Sequence, residues 1–323
     1  MILAAGYSTR LWPLTIDRAK PAIPFLGRPL VGYVAEYLAG FGVSDVIVNL
    51  HHQPESVRRA LGDGRRFGVR LHYVEEPEIL GTSGALDNAR SLLGDRTFIV
   101  INGKIVTDID LNAAYETHRR AGALATLVLR RNRARERFSV VETRAGWVTG
   151  FSGPPAPLAS DNDETPLMFT GIQFLEPGIF AYIPPKIFSH STTDVYPRAI
   201  ARGERIAAHV AEGTWYELST IQRYLSTSLA LMHREGQDVQ LGAGSILEPG
   251  ADVHDSILWE GVTVETGGRV RRSILGAGVR VRRGEVIENA AVVRAELVRG
   301  QERPAKALPG QMCGDNFVVM LPE

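Results

Sequence analysis

The sequence predicts an α/β protein: a doubly wound sheet covered by helices over residues 1–235, a short left-handed parallel β-helix over 236–300, and a tail, 301–323. Three observations predict it. Apolar β-type runs alternate with amphipathic helical stretches as far as about residue 235. Beyond that point the chain repeats itself with a period of 17 residues. No apolar run approaches the roughly 18 to 20 residues that span a bilayer, and no basic segment followed by a long apolar one opens the chain, so a cytoplasmic protein is expected.

In chain order, strands are expected at 1–5, 46–50, 69–74 and 97–101, separated by helices at 30–41, 55–61 and 84–93. Three βαβ units in the first hundred residues favour a mainly parallel, doubly wound sheet. Later runs at 123–129, 139–142, 170–174 and 206–210 read as further strands, and 220–233 as a closing amphipathic helix. Four prolines among Asp, Asn and Ser residues make 152–166 a loop.

Written beneath one another, residues 239–255, 256–272 and 273–289 agree column by column. Leu241, Leu258 and Leu275 align, as do Gly244, Gly261 and Gly278; Leu247, Val264 and Val281; Gly250, Gly267 and Gly284; and Val253, Val270 and Ile287. Val292 and Val298 continue two of these columns. Seventeen is one short of three hexapeptides, and inward aliphatics with glycine corners resemble a left-handed β-helix. So few coils are expected to pack on the preceding domain, on a second subunit, or both.

Composition narrows the function. Lys plus Arg, 36, balance Asp plus Glu, 36, so no net field draws nucleic acid or an anionic membrane. The six arginines between Arg269 and Arg283 alternate with Val and Ile, as a solvated face or subunit contact would. Cys313 is the only cysteine, which rules out an intrachain disulfide. His51 and His52 lack zinc-like spacing and read as structural. His254 falls in the solenoid, a place where some β-helix acyltransferases carry a catalytic histidine, but so few coils and the want of an acyl-CoA pattern argue against that role.

The chemistry concentrates in Leu3-Ala4-Ala5-Gly6-Tyr7-Ser8-Thr9-Arg10-Leu11-Trp12-Pro13-Leu14-Thr15, with Lys20-Pro21 beyond it. A small-residue loop at a strand's end lets backbone N–H groups approach a phosphate, and Thr9, Arg10 and Lys20 add a hydroxyl and cations. Neither the dinucleotide G-x-G-x-x-G nor a Gly-Lys-Ser/Thr loop is present, which excludes dehydrogenase and P-loop readings. The string resembles the signature L-A-A-G-x-G-T-R-L-x-P-L-T…K-P of the sugar-1-phosphate nucleotidylyltransferases, nearest to bacterial mannose-1-phosphate guanylyltransferase and N-acetylmuramate-1-phosphate uridylyltransferase types. The likeness continues in family order through Gly81-Thr82-Ser83-Gly84-Ala85-Leu86, Asn102-Gly103, Thr170-Gly171 and Trp215-Tyr216-Glu217.

The resemblance implies a Rossmann-like nucleotidyltransferase domain, with an NTP and a sugar 1-phosphate as partners and an NDP-sugar and pyrophosphate as products. It implies that Leu3, Ala4, Ala5, Gly6, Ser8, Thr9, Gly81, Thr82 and Gly84 bind the nucleotide, and that Asn102, Gly103, Thr170 and Gly171 face the sugar phosphate. Arg10 and Lys20 would work on the reacting phosphates; the homo-oligomer expected here comes from the short solenoid, which needs a packing partner.

Two departures stand out. The family holds Mg²⁺ between the aspartates of N-G-D and W-x-D, where this chain has Lys104 and Glu217. Its E-K-P lysine is also missing, because the matching stretch is Phe151-Ser152-Gly153-Pro154-Pro155. An ammonium has no acceptor for a metal. Three accounts stay open. Lys104 would itself supply the positive charge; Mg²⁺ would sit on Glu217 with Asp108 or Asp110; or Lys104 and Glu217 would pair in a catalytically silent binding relative. For Asp108 and Asp110, helix N-capping is the structural alternative to ligation.

Overall fold

The computed structural model describes residues 1–157 and 165–322; of the loop read over 152–166, residues 158–164 lie outside the described residues. The chain packs as two compact units. The first comprises 1–5, 34–51 and 63–215, and the second 6–33, 52–62 and 216–323.

The first unit is a nine-stranded sheet built from β1 (Ile2–Leu3), β2 (Asp45–Leu50), β3 (Arg70–Glu75), β4 (Phe98–Asn102), β5 (Ala125–Arg131), β6 (Val140–Arg144), β7 (Trp147–Ser152), β8 (Leu167–Leu175) and β9 (Ile206–Val210). Their order is β3-β2-β1-β4-β8-β5-β9-β7-β6. The first four are mutually parallel, and β5 and β9 are parallel to each other. Only β8 and β7 run against the rest, so the sheet is mixed where the sequence suggested a mainly parallel one. The reason is β8: it inserts between β4 and β5 and pairs with both, a placement that local patterning does not encode. Beneath the sheet, Met1, Val100, Leu127, Leu129, Leu175 and Tyr196 form one buried cluster. The 3-2-1-4 order puts a topological switch point between β1 and β4, the place where open α/β sheets bind ligands beyond the strand ends.

The second unit contains α1 (Pro54–Leu61), α2 (Ile221–Arg234) and the 17-residue solenoid. Each turn contributes one strand to each of three parallel sheets, in the predicted register: Val239 faces Ser256, Thr263 faces Arg280, and Val270 faces Ile287. Leu258, Leu275, Val264, Val281, Val270 and Val292 are buried in one stack. In the open-ended first coil, the equivalent Leu241 and Leu247 are exposed. Two corners use glycine in the left-handed region (Gly261, φ 68°; Gly267, φ 73°). The third uses Asp255, Arg272 and Asn289 at φ 47–48°, a column with no glycine to reveal it. Inside it, Ser256 Oγ accepts from the Ser273 amide and Ser273 Oγ from the Ala290 amide, each at 3.1 Å.

The tail folds as a hairpin, Gln311–Cys313 with Asn316–Met320, that pairs antiparallel with Ala290–Arg294 and closes the far end of the stack. The first coils also find packing partners within the second unit. Arg18 lies 5.1 Å over Trp259 and 2.7 Å from Glu260, while Trp259 Nε1 donates to the Tyr224 hydroxyl of α2. The arginine-rich stretch is a solvated face: Arg271 pairs with Asp252, Arg280 with Glu265 and Arg282 with Asp315.

His254 spans neighbouring coils, from Asp238 at 2.6 Å to Asp252 at 2.9 Å, and its pKa is raised by the Asp238 carboxylate. A raised folded-state pKa stabilises fully below the unfolded value, about 6.5, and fades as pH rises through the folded one. The melting-temperature gap between the wild type and His254→Gln is therefore expected to be widest near pH 5.5 and to shrink toward pH 8.5. A gap independent of pH would remove the charged bridge from the account.

Candidate active site

At the switch point β1 and β4 end side by side: Leu3 pairs with Asn102, and the Gly103 amide donates to the Leu3 carbonyl at 2.9 Å. The predicted nucleotide residue Ala4 follows, and its amide donates to Asn49 Oδ1 at 2.7 Å. Asn49 Nδ2 donates to Glu76 Oε1 at 2.6 Å, and Glu76 Oε2 accepts from the Leu80 amide at 3.0 Å. Asn49 and Glu76 are each only 3% exposed. This buried relay fixes the end of β1 relative to the Gly81 loop, so both backbone stretches assigned to the nucleotide share one rigid support.

The helix Gly81–Asn88, α3, opens on that loop. Gly81 has φ +76°, and a Cβ there would fall 2.4 Å from the Ser189 carbonyl; one at Gly84 would fall 2.7 Å from that of Ile187. These glycines admit segment 187–191 against the helix start. The Ser83 amide donates to the Ser189 carbonyl and the Ser191 amide to Thr82 Oγ1. The segment ends in exposed Ile187 and Phe188.

The predicted sugar-phosphate residues meet at a bulge in β8. Its register on β5 jumps from Phe169–Leu129 to Ile172–Val128, leaving Thr170 and Gly171 between. Gly171, at φ +85°, lies against Asn102, whose amide nitrogen would be 2.3 Å from any added Cβ. The structure thus brings Asn102 and Gly171 together. Thr170 is buried, donates to the Val128 carbonyl at 2.7 Å and pins the bulge, while its own carbonyl accepts from Trp215 Nε1 at 3.0 Å. Lys104 occupies the turn after Asn102-Gly103, before a short strand, Ile105–Thr107.

Both nearby aspartates have structural work. Asp110 is the N-cap of α4 (Leu111–Ala121), accepting from the Asn112 amide at 2.9 Å. Asp108 Oδ1 accepts from the Thr214 amide at 2.6 Å, against which Gly213 leaves room.

In the second unit, Gly6–Lys20 forms the phosphate-loop candidate. Ser8 takes a left-handed conformation and a 3₁₀ turn, Thr9–Leu11, presents Arg10 to solvent. Leu11, Trp12 and Leu14 are buried, and Trp12 packs edge-on against Phe317 of the tail, with centroids 5.3 Å apart. Lys20 is buried in a second turn, Lys20–Ala22, beside which the Ala19 amide donates to Ser56 Oγ of α1. Glu217 is buried, accepts from the Ser219 hydroxyl and stands 3.7 Å from Arg223.

Lys104 offers only hydrogens, the Asp110 carboxylate caps a helix, and Glu217 already receives a hydroxyl and faces a guanidinium. Among the described residues a His/Asp trio, His233, Asp238 and Asp255, has ligand atoms within 4.8 Å of one another; it is an exposed cluster at the start of the solenoid.

A 3-2-1-4 parallel half-sheet with its switch point at the end of β1 defines an α/β protein of the doubly wound kind. The chain belongs to the nucleotidyl transferase family, whose profile matches residues 1–234. It is 30% identical to UTP--glucose-1-phosphate uridylyltransferase of Synechocystis over 77% of this chain and 67% of that protein. It is 28% identical to mannose-1-phosphate guanylyltransferase of Mycobacterium tuberculosis over 78% of this chain and 72% of the relative. N-acetylmuramate alpha-1-phosphate uridylyltransferase of Neisseria meningitidis is 40% identical over a shorter stretch, 36% of this chain and 51% of its own length. Among solved structures, one from Bacillus anthracis, provisionally named glucose-1-phosphate thymidylyltransferase and crystallised with a sucrose, shares the fold. Its TM-score is 0.61 at 23% identity, covering 71% of this chain and 93% of that one.

Sequence reasoning did not find Asn49, Glu76 or Trp215 Nε1 as supports of the site. Asn49 is the one polar residue in the otherwise apolar run Val46–Leu50, and that interruption was the available signal.

Proposed function

We propose that the protein joins an NTP to a sugar 1-phosphate, releasing pyrophosphate and an NDP-sugar. The observation that carries this reading is the phosphate loop following β1, with Arg10 exposed and Lys20 held in a turn, in a chain of the nucleotidyl transferase family. A sugar-phosphate oxygen attacks the α-phosphorus, a new P–O bond forms, and the bond to the β-phosphate bridging oxygen breaks. The nucleophile is largely ionised at neutral pH, its second pKa being about 6, so no general base is required. Catalysis then rests on alignment and on neutralising charge. Arg10 takes the pyrophosphate, Lys20 and Lys104 the reacting phosphoryl groups, and the backbone at 3–6 and 81–84 the base. Divalent metal, with Mg²⁺ the expected ion, enters as part of the NTP substrate.

In the same reading, 1–235 is the nucleotidyltransferase domain, 236–300 a solenoid that winds left-handed, and 301–323 its closing tail. Its open first coil, with Leu241 and Leu247 exposed, suits self-association, and no helix among the described residues is long and apolar enough to cross a membrane. We place the protein in the cytoplasm.

The test is pyrophosphate release from ATP, GTP, CTP, UTP and dTTP against a panel of sugar 1-phosphates, with Mg²⁺ and with EDTA, for the wild type and Lys104→Asp. Release that depends on the sugar phosphate is expected, with part of it surviving EDTA and lost in Lys104→Asp. Nucleotide binding without release under any combination would make this a silent relative.

A further inference from the structure

The first unit holds a cleft of about 300 Å³ that the resemblance does not assign. Arg130, Arg131 and Arg133 line it together with Met168, Glu212 and Gly213. It opens where β5 and β9 end, the same edge of the sheet at which β4 delivers Asn102. Three arginines within four residues would normally splay outward from a strand, but here the chain turns under them. Asn132, buried, closes the turn by donating through Nδ2 to the Glu136 carbonyl at 2.8 Å and accepting the Glu136 amide at 2.9 Å. Arg131 and Arg133 therefore project from a fixed turn, and both are exposed.

Arg130 is tied to the sugar-phosphate end of the site. Its guanidinium lies 5.7 Å over Trp215, and Nη1 donates to the Trp215 carbonyl at 3.2 Å. Trp215 Nε1 donates in turn to Thr170, next to Gly171 and Asn102. The cleft and the bulge are thus parts of one rigid construction within the unit. Glu136 and Glu212 also line it, so three guanidinium groups outnumber two carboxylates there. Guanidinium groups suit a dianionic phosphate because they bind it in a bidentate fashion and never deprotonate.

We infer that this cleft holds the phosphate of the sugar 1-phosphate, with Arg131 and Arg133 as its binding groups and Arg130 as the positioning residue behind them. They supply the positive charge that the lysine missing from 151–155 would bring. The inference rests on the proposed reaction and adds to it the residues that select a phosphorylated sugar.

Arg131→Gln, Arg133→Gln, the double variant and Arg133→Lys are to be compared with the wild type in two assays. One is pyrophosphate release, giving separate KM values for NTP and sugar. The other is calorimetric binding of glucose 1-phosphate, mannose 1-phosphate and N-acetylmuramate α-1-phosphate, with and without a non-hydrolysable NTP analogue. The Gln variants are expected to raise KM or Kd for the sugar phosphate by about tenfold or more, with the NTP values within about twofold and Arg133→Lys partly restored. Wild-type melting temperatures are expected throughout, because both side chains are exposed. Wild-type turnover with unchanged sugar KM in every variant would overturn the inference and leave the reaction standing. Arginine-dependent binding of sugar phosphate without turnover would overturn the reaction and support the cleft. No binding of any sugar 1-phosphate, with or without nucleotide, would overturn both.

Discussion

Arg10→Ala is expected to lower kcat/KM by about a hundred- to ten-thousandfold, the range found when a group that stabilises developing phosphate charge is removed. Arg10 is exposed on a 3₁₀ turn whose hold on the protein comes from its neighbours: Leu11 and Trp12 are buried, and Trp12 packs edge-on against Phe317. Removing the guanidinium leaves that anchoring intact, so stability should change by no more than about 0.5 kcal/mol, as for an ordinary surface substitution. If the side chain acts on the leaving pyrophosphate, kcat falls while KM for the sugar phosphate barely moves. Steady-state kinetics with both substrates varied, alongside a melting curve, checks this. A loss confined to KM for NTP would make Arg10 a ground-state binding group, and an equal loss of stability would make it structural.

The contrast between Arg10 and its supports shows what the sequence could and could not disclose. The loop is a contiguous string, so the turn that follows β1 and the resemblance of Leu3 to Thr15 to the family signature were legible from the sequence, and phosphate binding by that loop is the proposal built on them. The solenoid was equally legible, because each coil repeats the last and Val264 must sit over Val281 for either to be buried. The third corner was not, since Asp255, Arg272 and Asn289 share a backbone conformation without sharing a residue type. Neither was the insertion of β8 between β4 and β5. Its apolar run is read correctly as a strand, but whether it lies parallel or antiparallel depends on partners about 40 and 70 residues away. The strand Trp147–Ser152 escaped for a different reason: it includes Gly150 and pairs with Val140–Arg144 through an irregular register, which breaks the alternation that marks a strand. The Asp110 cap could be read locally, whereas Asp108 is fixed by the amide of Thr214, 106 residues distant.

The largest stability effect is expected at Asn49, which no functional motif includes. Asn49→Leu keeps the branching and heavy-atom count of the side chain but deprives the Ala4 amide of its acceptor and Glu76 of one donor in a site largely shielded from water. Leaving the part-buried Ala4 amide without its acceptor, and the buried Glu76 carboxyl with the Leu80 amide but not the Asn49 donor, costs about 3–5 kcal/mol, compared with about 1 kcal/mol for an ordinary hydrogen bond lost at a wet surface. Glu76→Leu alone strands Asn49 Nδ2 and the Leu80 amide, so it too is destabilising. In the double variant the two leucines face each other and the stranded pair becomes an apolar contact. Its destabilisation is therefore expected to be smaller than the sum of the two singles, by about 1–3 kcal/mol of coupling. Urea denaturation of the four proteins measures that cycle directly. Function should not recover with stability, because Ala4 and Leu80 still lack the groups that tied β1 to the Gly81 loop. KM for NTP is expected to stay raised in the double variant while the sugar-phosphate KM is spared. Additive single effects would show that Asn49 and Glu76 act separately. A double variant with wild-type KM for NTP would show that the relay holds the fold together without positioning the nucleotide.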